Sequence, residues 1–156
     1  MRTHRYYTLD EANRTVPLLA GAFGRILRLR ALLRGAGGEL EKLGQPTDPK
    51  SLTRMDGPET VRAVRARARG LYETLAEEIE ALHERGLEIK DLDTGLCDFY
   101  ALRDGREVYL CWRFGEPAVL FWHELHTGFA GRLPVDAAFA VARGPDSDWD
   151  QDRDRE

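Results

Sequence analysis

The stretch LCDFYALRDGREVYLCWRF, residues 96–114, decides the fold. Two runs rich in aromatic and β-branched residues flank Asp104-Gly105, the dipeptide best suited to a two-residue hairpin turn. With that turn, Leu96 faces Arg113 and every later residue faces one step earlier, so Asp98 opposes Cys111 and Tyr100 opposes Tyr109. Side chains alternate across a strand. Cys97, Phe99, Ala101, Val108, Leu110, Trp112 and Phe114 therefore share one almost wholly apolar face, which should pack on helices. Asp98, Tyr100, Leu102, Glu107, Tyr109, Cys111 and Arg113 share the other, which is left for other uses. Cys97 and Cys111 fall on opposite faces, and this register forbids a disulfide between them.

Working outward, Gly115-Glu116-Pro117 makes a second turn and Ala118–Leu125 a third strand. Two registers are open there: a two-residue loop puts Glu124 beside Glu107, while a three-residue loop puts His123 opposite Tyr109. Gly128–Arg132 reads as a glycine-containing loop, and Ala137–Ala142 as a short helix or strand. Upstream the apolar period changes from two to three or four. Thr8-Leu9-Asp10-Glu11 is a capping box. It opens a helix whose seam is Leu9, Ala12, Val16, Leu19, Phe23, Ile26 and Leu33, interrupted by Arg30. Pro17 should bend this helix or weaken its start, and Gly35, Gly37 and Gly38 should interrupt it. Residues 44–57 form a connection. Asp56, Pro58 and Glu59 look like the N-cap and first turn of a second helix. Its seam is Val61, Val64, Ala68, Leu71, Leu75, Ile79 and Leu82, and Gly86 ends it. The fold class is α+β: a long antiparallel two-helix hairpin, coiled-coil-like, followed by a small antiparallel β-sheet. The organisation expected is one domain, residues 1–145. Its helical hairpin covers 8–86, its sheet 88–126 and a terminal element 127–143, with a flexible acidic tail at 146–156.

Composition narrows the class further. The 156 residues are 42% hydrophobic and 32% charged, as in a globular domain. The longest apolar run, Ala137–Ala142, is far short of the ~20 residues that span a bilayer. A charged region followed by an apolar one does not open the chain, and the cysteines number two. The expectation is a cytoplasmic protein with reduced thiols, away from membranes. The net charge of −4 is unevenly spread. Residues 146–156 hold six acids against Arg153 and Arg155, residues 25–69 carry a clear basic excess, and residues 70–107 an acidic one.

Several motifs together resemble a known family. They are Tyr7-Thr8-Leu9-Asp10-Glu11-Ala12-Asn13, Lys90-Asp91-Leu92-Asp93 with Gly95-Leu96 and Asp98-Phe99, and Val108-Tyr109-Leu110-Cys111-Trp112-Arg113. Gly115-Glu116, Trp122-His123-Glu124 and Gly128-Phe129-Ala130-Gly131-Arg132 complete the set. The chain resembles the bacterial domain-of-unknown-function family numbered 2203. The resemblance implies a small bacterial cytoplasmic protein and assigns no chemistry.

The residues suggest two kinds of site. In Trp122-His123-Glu124-Leu125-His126, two histidines flank a carboxylate, so His123, Glu124 and His126 are candidate ligands of a divalent metal. Asp98 and Cys111 could add ligands if their face meets the His123 strand. The same residues admit an acid–base enzyme, with His123 as base, Glu124 or Asp98 orienting it, and Arg113 or Arg132 binding an anion. The plain alternative is a structural lock in which His123 bonds Asp98 or a backbone carbonyl. The second site is electrostatic. Arg25, Arg28, Arg30 and Arg34 close the first helix, and Arg62, Arg65, Arg67 and Arg69 open the second, so an antiparallel hairpin gathers them at its tip. Arg28, Arg62, Arg65 and Arg69 are the candidates for an anionic partner, protein or nucleic-acid backbone. A solvated arginine-rich surface is the alternative reading. Leu29, Leu32 and Ala76 lie off the seams and should be covered, by the sheet or by a second copy in a homodimer. The favoured reading is a non-catalytic binding or adaptor module, with the enzyme second.

Overall fold

The computed structural model describes residues 4–139. It contains α1 (Leu9–Lys42), α2 (Glu59–Glu84) and five strands: β1 (Leu87–Asp91), β2 (Leu96–Arg103), β3 (Arg106–Arg113), β4 (Phe121–His123) and β5 (Leu133–Pro134). The strands form one antiparallel meander in chain order. This is the α+β class read from the sequence, with two more strands than the three identified there. No helix among the described residues is long and apolar enough to cross a membrane. The chain divides into two compact units, Gly24–Ala81 and the remainder on either side of it.

The sheet-bearing unit begins with the capping box. Glu11 N–H donates to Thr8 Oγ1 at 3.1 Å, and Thr8 N–H donates back to Glu11 Oε1 at 3.3 Å. The β2–β3 register runs from Leu96↔Arg113 to Arg103↔Arg106, with Asp98↔Cys111 and Tyr100↔Tyr109. Asp104 and Gly105 both have positive φ, 51° and 78°, the geometry of a type I′ turn. Cys97, Phe99, Ala101, Val108, Leu110 and Trp112 are all buried. Phe23 of α1 meets the Trp112 ring at 5.9 Å, and Tyr7 sets its edge against Phe99. Both cysteines are free thiols. Gly95, at φ +71°, is obligatory: a Cβ there would stand 2.5 Å from Phe114 Cβ.

Of the two registers left open for β4, the structure takes Tyr109↔His123, with Cys111↔Phe121. The strand is shorter than Ala118–Leu125 because Val119 N–H leaves the ladder and donates to Asn13 Oδ1 at 2.7 Å. Ala137–Phe139 forms a 3-10 turn; residues 140–143 of the expected terminal element and the acidic tail lie outside the described residues.

In the helical unit, α1 passes through Gly35, Gly37 and Gly38 without the break expected there. Ala36 and Leu40 are buried in one cluster with Leu52, Val61 and Ala68, and that burial outweighs the cost of the glycines. The helix also continues through Pro17. It ends at Gly44, φ +70°, where Gln45 N–H donates to the Leu40 carbonyl and Gly44 N–H to that of Glu41, a Schellman motif. The antiparallel course of the helices follows from two ion pairs, Arg25–Glu78 and Glu39–Arg67. Asp56 is not the cap anticipated for α2. Its carboxylate is taken by Arg54 and its carbonyl by Arg65, since guanidinium donors hold it more strongly than an amide would. Leu32 is 49% exposed in the single chain, so of the two covers expected for it the chain's own is not supplied, and the buried stripe of α1 runs through Ile26, Ala36 and Leu40 instead.

Candidate functional site

Three adjacent strands bring Asp98, Cys111 and His123 together. Asp98 and Cys111 are direct cross-strand partners, and His123 sits opposite Tyr109, two residues before Cys111. One potential ligand atom from each, a carboxylate oxygen, Sγ and a ring nitrogen, lies within 4.8 Å of the others. The three residues are 1%, 0% and 2% exposed. His123 Nε2 is 3.0 Å from Asp98 Oδ2, and His123 Nδ1 is 2.7 Å from the Glu124 carbonyl oxygen. A carbonyl only accepts, so Nδ1 carries a proton and Nε2 is the nitrogen turned to the cluster. Asp98 Oδ1 is buried and has no hydrogen-bond partner.

Burial by itself lowers the pKa of His123, but the hydrogen bond and charge of Asp98 override it, and the net direction is upward. Burial pushes both thiols far above the ordinary cysteine range, with the Asp98 charge adding to it. Cys111 without a metal is therefore an unreactive thiol.

Beside the cluster the same face carries a polar chain that the sequence reading did not single out. Tyr100 donates to Glu88 Oε1 at 2.6 Å, and the Tyr109 hydroxyl lies 3.0 Å from that of Tyr100. Lys90 bonds Glu88 Oε2 at 2.6 Å and stands over the Tyr109 ring, which packs against His123. Desolvation raises the Glu88 pKa, and Lys90 and the two tyrosines more than reverse it. The Tyr6 phenol is pushed up to about 12 by its hydrogen bond to Glu107. The signal was present in the register, which sets Tyr100 opposite Tyr109.

The other candidates lie elsewhere. Glu124 pairs with Arg106, and His126 is exposed, so neither joins His123 in the ligand set anticipated for a metal. Arg132 is committed to Glu116 at 2.7 Å and lies over Phe121 and Phe129. Arg113 is exposed near the Phe129 ring.

At the arginine-rich end of the helical unit, Arg65 is 2% exposed, with Nη1 donating to the Asp56 carbonyl and Nη2 to Gln45 Oε1. Arg69 donates to the Leu52 carbonyl at 2.7 Å. These two guanidiniums hold the connection between the helices, which removes Arg65 from any anion-binding surface. Arg28 and Arg62 are exposed. Two of the depressions formed by the described residues lie there. One, of about 580 Å³, has Leu33, Leu40, Leu52 and Leu75 as apolar lining and Arg30, Arg34 and Tyr72 as polar lining. The other, about 350 Å³, is lined by Arg54, Met55, Arg62 and Arg69 among others.

The chain is of the α+β class, a helical hairpin followed by a five-stranded antiparallel meander that carries a buried carboxylate–thiol–imidazole cluster. The chain belongs to the family described as uncharacterized conserved protein DUF2203, whose model matches residues 5–135. Neither the curated proteins nor the solved structures supply a match.

Proposed function

We propose that the protein is a non-catalytic binding module whose helical unit takes an anionic ligand with an apolar body. The observation that carries this reading is the cleft of about 580 Å³, where Arg30 and Arg34 stand beside a wall of leucines. That volume is of the size of small-molecule sites, and the mixed lining supplies both burial and charge. Arg62 and the shallower hollow beside it would extend the positive surface towards an acidic adaptor partner. An acid–base enzyme built on Asp98, His123 and Glu124 is less well supported. Two of the three have almost no exposure, and the third is held by Arg106.

The test uses anilinonaphthalene sulfonate, an anionic aromatic probe, and the full chain. A side chain at Gly37 would grow towards Thr47, its nearest neighbour across the cleft at 4.0 Å, with no positive φ to strain it. Wild type should give one saturable, salt-sensitive site, and Gly37→Leu and Arg34→Glu should each weaken it by at least roughly tenfold. Equal binding by wild type and both variants would remove the cleft from consideration.

A further inference from the structure

We propose that Asp98, Cys111 and His123 form a closed site for one thiophilic divalent cation, zinc by its chemistry. The site is separate from the cleft of the helical unit, and it is carried by different observations. The first is the donor set. An oxygen, a sulfur and a nitrogen from β2, β3 and β4 already lie within 4.8 Å of one another. Zinc bonds of about 2.0–2.3 Å to such donors place neighbouring ligand atoms roughly 3.3–3.8 Å apart in a tetrahedron. Small side-chain adjustments close the difference. Calcium and magnesium, which require a shell of oxygens, do not suit a thiol and an imidazole.

The second observation is the orphaned oxygen. Asp98 Oδ1 is buried without a hydrogen-bond partner, an arrangement uncommon in folded proteins and one that a bound cation relieves. Asp98 thus offers two donor atoms, and three residues can fill four positions. The third is the orientation of His123. The Glu124 carbonyl holds the proton on Nδ1 and leaves Nε2 to face the carboxylate and the thiol, as outer-sphere partners do for histidine ligands.

Charge completes the argument. A dication with an aspartate, a neutral imidazole and a thiolate sums to zero, so the loaded site buries no net charge. The nearest fixed cations are already balanced, Lys90 by Glu88 and Arg132 by Glu116.

Cobalt(II) is the probe, added to the chelator-treated full chain and then displaced with zinc. Wild type should take up one equivalent, show a sulfur-to-cobalt charge-transfer band, and lose that band when zinc is added. Cys111→Ser should abolish the band, and Asp98→Asn should weaken uptake by at least about 100-fold, more than the loss of an outer-sphere partner costs. Cys97→Ser, on the opposite face, should leave band and affinity unchanged. The proposal is overturned by absence of stoichiometric uptake, by uptake without the thiolate band, or by loss of the band in Cys97→Ser. Wild-type behaviour of folded Asp98→Asn would overturn it equally.

Discussion

In the sheet, Asp98 and His123 meet at 3.0 Å with almost no exposure; in the helical unit, Arg25 and Glu78 meet at 2.7 Å with the arginine side chain 60% exposed. The separations are similar and the surroundings are not. Desolvation makes the first pair dependent on both partners, whereas water and salt screen the second until little is left of it. The helical unit also contains one guanidinium treated as the sheet treats its ions: Arg65, buried and bonded to the Asp56 carbonyl and Gln45. Burial, more than charge or distance, decides which polar groups hold this molecule together and which remain for partners.

The sharpest way to break that contrast is Asp98→Ala. It leaves a buried imidazole facing an empty site and should cost about 3–5 kcal/mol in urea denaturation. Replacing both partners, as Asp98→Leu with His123→Leu, should recover most of the loss. A double variant no better than the single one would show that packing, not the unpaired ion, sets the cost. Next comes Arg65→Met, which keeps the stem and removes the donors to the linker. It should cost about 1–3 kcal/mol, while Arg62→Met, three residues earlier and exposed, should leave the denaturation midpoint unchanged. Equal effects would erase the distinction drawn between these arginines.

Thr8→Ala, which deletes half of the capping box, should cost about 1 kcal/mol. The smallest effects belong to exposed pairs. Arg103 holds the Asp136 carboxyl below the usual carboxylate range through its side-chain hydrogen bond. A lowered folded-state pKa contributes stability that is present above the ordinary carboxylate pKa and is lost as pH falls through the lowered one. Arg103→Gln should therefore reduce the fall in stability on acidification, measured as midpoint against pH.

The sheet was more legible in the sequence than the helical unit, for a physical reason. Asp104-Gly105 fixes a register, and register fixes every neighbour, so the Asp98–Cys111 pairing and the separation of Cys97 from Cys111 could be read directly. Even the register of β4 was reduced to two alternatives, Glu124 beside Glu107 or His123 opposite Tyr109, of which the structure takes the second. The Asn13 side chain that captures Val119 N–H ahead of this strand joins residues far apart in the chain, a contact that spacing does not reveal. In the helical unit spacing gave the faces but not the reach of long side chains. Nothing in the periodicity tells that Arg65 turns inward to the linker while Arg62 stays in water. The helix likewise overrides three glycines because Ala36, between the first two, and Leu40, just beyond the third, are buried, a tertiary effect that local propensity does not contain. Glu124 and His126 were grouped with His123 by sequence proximity, yet the partners of a strand residue come from adjacent strands.

The most direct test of the division between a binding helical unit and a closed sheet is amide chemical-shift mapping of the full chain with anilinonaphthalene sulfonate. Shifts confined to residues 30–41, 47–52 and 68–75, with the strand amides unmoved, are the expected result. Shifts centred on residues 96–113 and 121–124, with the helical cleft silent, would contradict it.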